Sequence, residues 1–202
     1  MRTDQPSRKL AVILHADVVG STLLVQQNET LAHERIQTAF HHFSETIKTY
    51  GGITRELRGD ALVAEFERAS DAVPAALAFQ VLNEEFNSKL DDDIQPQLRI
   101  GISLGEVIIA DNTITGAGVV LAQRLEQLAD PGGVVVQGSV SETVPARMPF
   151  EFESLGEQKL KGFDQPVRAF AVKLRSSEEL PSPEANTATY SAAPKTLQVP
   201  DK

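Results

Sequence analysis

Two carboxylates stand at turns where metal-assisted chemistry could be done. Asp17 follows the apolar run Leu10 to Leu14 and precedes Gly20-Ser21-Thr22, while Asp60 follows Gly59 at the tip of a hairpin predicted between Ile53–Arg58 and Ala61–Phe66. Hard oxygen donors of this kind suit Mg²⁺ or Mn²⁺, and the backbone N–H groups of a Gly-Ser-Thr turn opening a helix can face a phosphate. If the strand ending at Asp17 pairs with the second arm of the hairpin, both aspartates meet at one edge of one sheet. A pair of divalent ions could then sit between them and a phosphate-bearing substrate. The bland roles for the same residues are a helix cap at Asp17 and a simple turn at Asp60.

The elements that must hold these turns can be read from periodicity. Ile36, Phe40, Phe43 and Ile47 recur at helical spacing, so one long helix or two collinear ones run from about Ser21 to Tyr50 and stop at Gly51-Gly52. After the hairpin, Ser70 is expected to cap a helix that tolerates Pro74 in its first turn and buries Ala75, Phe79, Leu82, Phe86 and Leu90. Gln97 to Ala110 reads as a second hairpin bent at Gly105, and a turn through Asp111-Asn112-Thr113 leads to a helix over about Gly118–Ala129 with Leu121, Leu125 and Leu128 on its apolar face. Asp130-Pro131-Gly132-Gly133 ends that helix; a strand at Val134–Gln137, a short helix near Ser139 and strands at Phe150–Leu155 and Val167–Leu174 follow. The order implies an α+β fold: a ferredoxin-like βαββαβ core with a mostly antiparallel sheet and helices on one face.

Composition bounds the function. With 202 residues and 41% hydrophobic content the chain can bury one substantial core. A net charge of -9 argues against nonspecific nucleic-acid binding, which needs a basic face. The absence of cysteine removes disulfides, thiolate metal sites and cysteine nucleophiles. No apolar run is long enough to span a membrane, and Met1 to Lys9 lacks the apolar core of a secretory signal, so a cytoplasmic location is expected. Beyond Leu174 the chain turns to Ser, Glu, Pro, Ala and Thr, with Pro181, Pro183, Pro194 and Pro200, and reads as a disordered linker over 175–202. Such a linker suggests a piece of a longer protein.

The Asp17 and Asp60 turns, together with Gly116-Ala117-Gly118-Val119-Val120-Leu121-Ala122-Gln123-Arg124 and Leu160-Lys161-Gly162-Phe163, resemble the catalytic domain of class III adenylate/guanylate cyclases over about residues 8–174. The chain's end, Leu197-Gln198-Val199-Pro200-Asp201-Lys202, is similar to the junction of cyclases fused to tetratricopeptide-type regions. The resemblance implies conversion of ATP or GTP to a 3′,5′-cyclic nucleotide and pyrophosphate, with two Mg²⁺ or Mn²⁺ ions, at the interface of a homodimer. It assigns metal binding to Asp17 and Asp60, phosphate contact to Gly20, Ser21 and Thr22, base reading to Glu56 and Thr113, transition-state stabilisation to Arg124 and terminal-phosphate binding to Lys161.

Two positions depart from the family pattern. Val120 holds the place of an asparagine that hydrogen-bonds the ribose, and losing one positioned donor costs about a hundredfold in rate in comparable sites. Gln127, three residues from Arg124, is the nearest substitute donor on that face. The base-reading pair mixes a guanylate-type Glu56 with an adenylate-type Thr113. A glutamate accepts from the guanine ring N–H and exocyclic amine while threonine donates to the carbonyl oxygen, so hydrogen-bond chemistry leans toward GTP. The alternative for Glu56 is an ion pair with Arg58 or Arg55; for Arg124, one with Glu126 or Asp130; for Lys161, an ordinary surface lysine like Lys159. A catalytically degenerate module that binds nucleotide or dimerises to regulate an attached domain is the competing function class.

Overall fold

A computed structural model describes residues 7–110 and 113–183. Strand β1 (Ser7–Val18) leads into α1 (Ser21–Gln27) and α2 (Glu29–Thr49), then the hairpin β2 (Ile53–Arg58) and β3 (Ala61–Phe66). Helix α3 (Ala69–Asn87) and strand β4 (Leu98–Ala110) complete the βαββαβ core; β5 (Thr113–Thr115), α4 (Ala117–Glu126), β6 (Val134–Gln137), α5 (Gly138–Thr143), β7 (Phe150–Gln158) and β8 (Val167–Leu174) extend it. The sheet has eight strands in the order β2-β3-β1-β4-β6-β8-β7, with β5 on β4. Every pairing is antiparallel except β4 with β6. The one parallel pair is the one joined by a helical crossover, through α4.

Alternation along β1 divides the core. Val12, Leu14, Ala16 and Val18 face one side with Phe40, Phe43 and Phe79 of α2 and α3, whereas Ala11 and Ile13 face the other with Ala122 of α4. The helices α2, α3 and α5 therefore share a face and α4 crosses the opposite one, which corrects the expectation of helices on a single face. Phe43 and Phe79 stack with ring centroids 4.0 Å apart and lock α2 to α3.

The stretch Gln97–Ala110 does not fold back at Gly105. It is one strand, paired with β1 from Leu98↔Val18 to Ile109↔Ser7. Its glycines serve close approach: a Cβ at Gly105 would stand 2.8 Å from Gly118 Cα, and one at Gly101 would strike the backbone of Ala122 and Glu126. Ser103, between them, donates to Gly118 O at 2.7 Å. These small residues let the backbone of α4 lie directly on the sheet.

Other boundaries differ for local reasons. Asn28, extended at φ -158, splits the first helical region in two and caps α2 by accepting from Leu31 N at 3.1 Å. Arg68, not Ser70, is the N-cap of α3, and Arg68 Nε donates to Asp71 at 2.7 Å. Leu82 is 51% exposed; α3 instead buries the amides of Gln80, Asn83 and Asn87, which donate to Leu98 O, Gly133 O and Pro96 O and fix the entry to β4. The stretch expected to be unstructured starts out docked: Leu180 packs on the core, and Tyr50 donates to Pro181 O at 3.1 Å. The rest of that expectation, with the Asp111-Asn112 turn, lies outside the described residues. Among the described residues no helix is long and apolar enough to cross a membrane.

Candidate active site

β1 does pair with the second arm of the hairpin, Asp17 opposite Ala61. Gly59 turns the hairpin with φ 58, a conformation glycine adopts without strain, and Val18 N donates to Asp60 O at 3.0 Å, pinning the turn to the end of β1. Both carboxylates are half-buried. Burial pushes the Asp17 carboxyl up, the negative charge of Asp60 adds to the rise, and Arg99 opposes it. Gly20, at φ 62, turns the chain into α1, and Ser21 Oγ donates to Asp60 Oδ2 at 2.6 Å. Thr22 stands exposed in the first turn of α1. Among the described residues no three His, Cys, Asp or Glu side chains cluster as a closed metal cage. Two converging carboxylates fit a site whose remaining oxygen ligands come from water and substrate phosphate, the arrangement Mg²⁺ and Mn²⁺ accept.

Sequence reasoning missed the cation at this place. Arg99 interrupts the apolar alternation Leu98, Ile100, Ile102 and points to the α4 side, where its Nη2 lies 3.6 Å from Asp17 Oδ2 and its Nε 3.1 Å from Glu126 Oε1. His15 Nδ1 lies 3.7 Å from Glu126 Oε2. Burial pushes Glu126 up to about 7, the charge of Asp17 adding and Arg99 opposing. Burial pushes His15 down to about 4 against the attraction of Glu56, so His15 is a buried neutral imidazole near neutral pH. The sequence shows a charged residue between the apolar positions Leu98 and Ile100, but not the partners on β1 and α4 that give it a place in the site.

The base-reading candidates also come together. Glu56 Oε1 accepts from Ile114 N at 3.3 Å, next to Thr113, whose Oγ1 donates to Ala110 O at 2.5 Å. The other oxygen of Glu56 lies 3.1 Å from Arg58 Nη2, so the chain's own donors engage this carboxylate. Arg55 pairs with Glu65 instead.

Arg124 and Lys161 form another group. Arg124 Nε donates to Lys161 O and Nη1 to Gln127 Oε1, each at 3.3 Å; its alternative partners Glu126 and Asp130 are not the ones it meets. Leu160 packs with Leu121 and Leu125, which seats the Lys161 turn against α4. Val120, 40% exposed, lies one turn before Arg124. No described contact joins Arg124 or Lys161 to the side chains of Asp17 or Asp60. Among the described residues, one chain thus carries the site residues as separate groups.

Residues 4–174 match the family described as the adenylate and guanylate cyclase catalytic domain. A protein of Rhizobium meliloti (strain 1021) named "Putative adenylate cyclase 3" is 33% identical over 168 residues, which is 83% of this chain and 29% of that longer protein. The crystal structure of an adenylate/guanylate cyclase/hydrolase from Silicibacter pomeroyi superposes with a TM-score of 0.76 at 30% identity, over 83% of this chain and 98% of that one. The adenylyl cyclase CyaB of P. aeruginosa superposes at 0.73 with 23% identity, over 87% of this chain and 100% of its own, a likeness of fold.

Proposed function

The chain belongs to the adenylate and guanylate cyclase catalytic domain family, and on that premise we propose that it is a nucleotidyl cyclase acting as a homodimer. Its reaction is attack of the ribose 3′-hydroxyl of ATP or GTP on the α-phosphorus, with pyrophosphate leaving. The observation that carries this reading is the convergence of Asp17 and Asp60, close enough that the charge of one raises the other. Two like charges in a half-buried place repel unless a cation joins them.

Asp17 and Asp60 hold Mg²⁺ or Mn²⁺, and Ser21 fixes the orientation of Asp60. Two such ions supply Lewis acidity that lowers the hydroxyl pKa and neutralises the triphosphate. Gly20, Ser21 and Thr22 offer the phosphates a turn at a helix start. Arg124 offsets charge developing on the α-phosphoryl oxygens, and Lys161 meets the terminal phosphates as a point charge. These groups stand apart within one chain. A second copy, with the two-fold symmetry usual for homodimers, brings the Arg124 group of one protomer to the carboxylates of its partner. Glu56 and Thr113 read the base once Glu56 gives up Arg58.

The test is an assay of the purified chain with ATP and GTP separately, in Mn²⁺ and in Mg²⁺, the products resolved by chromatography. Metal-dependent cyclic product is expected. No product from either nucleotide at high protein concentration would overturn the reading in favour of the degenerate module, for which the engaged Glu56 and the apolar Val120 speak.

A further inference from the structure

A β-bulge between Thr54 and Glu56 resets β2, so that Glu56 stands opposite Val63 and Arg58 opposite Ala61. Alternation along β3 then puts Glu56 and Arg58 on the side of the sheet where Val63 packs with Ala122 of α4. The Glu56 carboxylate bridges two elements there: one oxygen accepts from Ile114 N of β5 at 3.3 Å, and the other lies 3.1 Å from Arg58 Nη2. The Arg58 side chain is 72% exposed and has no other ion pair or hydrogen bond among the described residues, so its remaining N–H groups are open beside Glu56. Thr113 Oγ1, next to Ile114, lies 2.5 Å from Ala110 O. A carbonyl can only accept, so the hydroxyl proton is committed to it and Thr113 offers a ligand only its lone pairs.

The polar edge beside β5 thus presents an acceptor at Thr113 and donors at Arg58. Adenine carries the complementary pair, a donor in its exocyclic amine and an acceptor in ring N1. Guanine carries a carbonyl oxygen, a ring N–H and an amine, which ask for a donor and then for acceptors. Guanine is therefore read only if Glu56 gives up Arg58 and Thr113 gives up Ala110; otherwise the guanidinium and the ring N–H meet as donor against donor. Adenine asks for neither change. We propose that Arg58 is a specificity-determining residue that makes ATP the preferred substrate, its guanidinium donating to adenine N1 while the Thr113 hydroxyl accepts from the exocyclic amine. With adenine bound, Glu56 keeps its hold on Arg58 and acts as a positioning residue. This role rests on the cyclase reading for the place of the base beside Glu56 and Thr113. Residue types alone lean toward GTP because threonine can donate; the bond to Ala110 removes that donor.

The experiment measures, by calorimetry in Mn²⁺, binding of the full chain to the α,β-methylene analogues of ATP and GTP, from which pyrophosphate cannot leave. In parallel it measures turnover of ATP, GTP and 1-deaza-ATP, in which a C–H replaces N1. The unsubstituted chain is expected to bind the adenine analogue about tenfold more tightly than the guanine one, and to use 1-deaza-ATP with a kcat/KM about tenfold below that of ATP, the loss of one charge-assisted hydrogen bond. Arg58→Ala, at a mostly exposed side chain, is expected to lose both discriminations, and Arg58→Lys, which keeps a donor, to retain the preference for adenine. The N1 penalty disappears with Arg58 only if the two touch, a coupling that a merely structural role would not produce. Tighter binding of the guanine analogue, an unchanged adenine-to-guanine ratio in Arg58→Ala, or 1-deaza-ATP used as well as ATP would overturn the proposal. Analogue binding without cyclic product from either nucleotide would overturn the cyclase reading instead, and the binding ratios would still decide the role of Arg58. Binding of neither analogue would overturn both.

Discussion

The carboxylate end of β1 and the outer face of α4 carry residues for the same proposed reaction, yet the chain holds them in opposite ways. Asp17 and Asp60 are half-buried, pinned by a backbone hydrogen bond from Val18, by Ser21 and by Arg99. Arg124 holds only long hydrogen bonds of 3.3 Å to a backbone carbonyl and a glutamine, and the Lys161 side chain is exposed. Preorganised groups lower a barrier most when they need not move during the reaction. On the proposed reading, the carboxylates that would hold metal are organised within the chain, whereas the Arg124 group would gain its order from a docked partner protomer.

The sharpest way to break that contrast is to remove one side of it. Asp17→Ala is expected to reduce cyclic-nucleotide formation to background while the chain stays folded, since it removes one of two repelling carboxylates; turnover at the unsubstituted rate would end the metal assignment. Arg124→Ala is expected to lower kcat by about a hundredfold. Mixing the two variants should restore about a quarter of the original activity, because a two-fold dimer of mixed chains has one intact site. If mixing restores nothing, the halves do not come from different protomers.

Smaller effects refine the comparison. Val120→Asn places a donor on the exposed face beside Arg124 and is expected to raise kcat by about tenfold, with little change in stability because Val120 is already 40% exposed. An unchanged kcat would remove Val120 from the site. Glu56→Lys breaks the contact with Arg58 and is expected to move the ratio of kcat/KM values toward ATP; an unchanged ATP/GTP ratio would show that Glu56 organises β5 and reads no base.

The least effect is on stability against pH. Glu126, raised to about 7, favours the folded chain most at low pH, and that contribution is lost as pH rises to about 7. Asp17, also raised, acts in the same direction. His15, lowered from 6.5 to about 4, acts in the opposite direction: its buried neutral form costs stability at low pH, and the loss is relieved as pH rises through that window. The two trends oppose, so urea midpoints of the unsubstituted chain are expected to change little between about pH 4.5 and 6.5. With His15→Gln they should fall as pH rises; a rising curve would contradict the charge states of the cluster.

Much of the fold was legible because it depends on local chemistry. Helical spacing marked α2 and α3, Gly59 marked the hairpin, and the apolar run before Asp17 marked β1. Gly105 misled because a glycine that admits a neighbouring backbone looks the same in sequence as one that makes a turn. Leu82 misled because α3 fills part of its inner face with amides that satisfy loop carbonyls, which an apolar stripe cannot reveal. The carboxylates were legible from residue type and turn position. Arg99 and Glu126 were not, because they meet across a sheet and a helix.

The sequence by itself determined most of the elements, the two aspartate turns and the family resemblance, since these follow from residue types and spacings within a few turns of chain. Only the tertiary structure decided that α4 lies on the face opposite the other helices, that Glu56 is already engaged, and that one guanidinium serves both Asp17 and Glu126. Those outcomes depend on which backbones approach closely enough, and on how much water burial removes, and both are set by the packed chain as a whole.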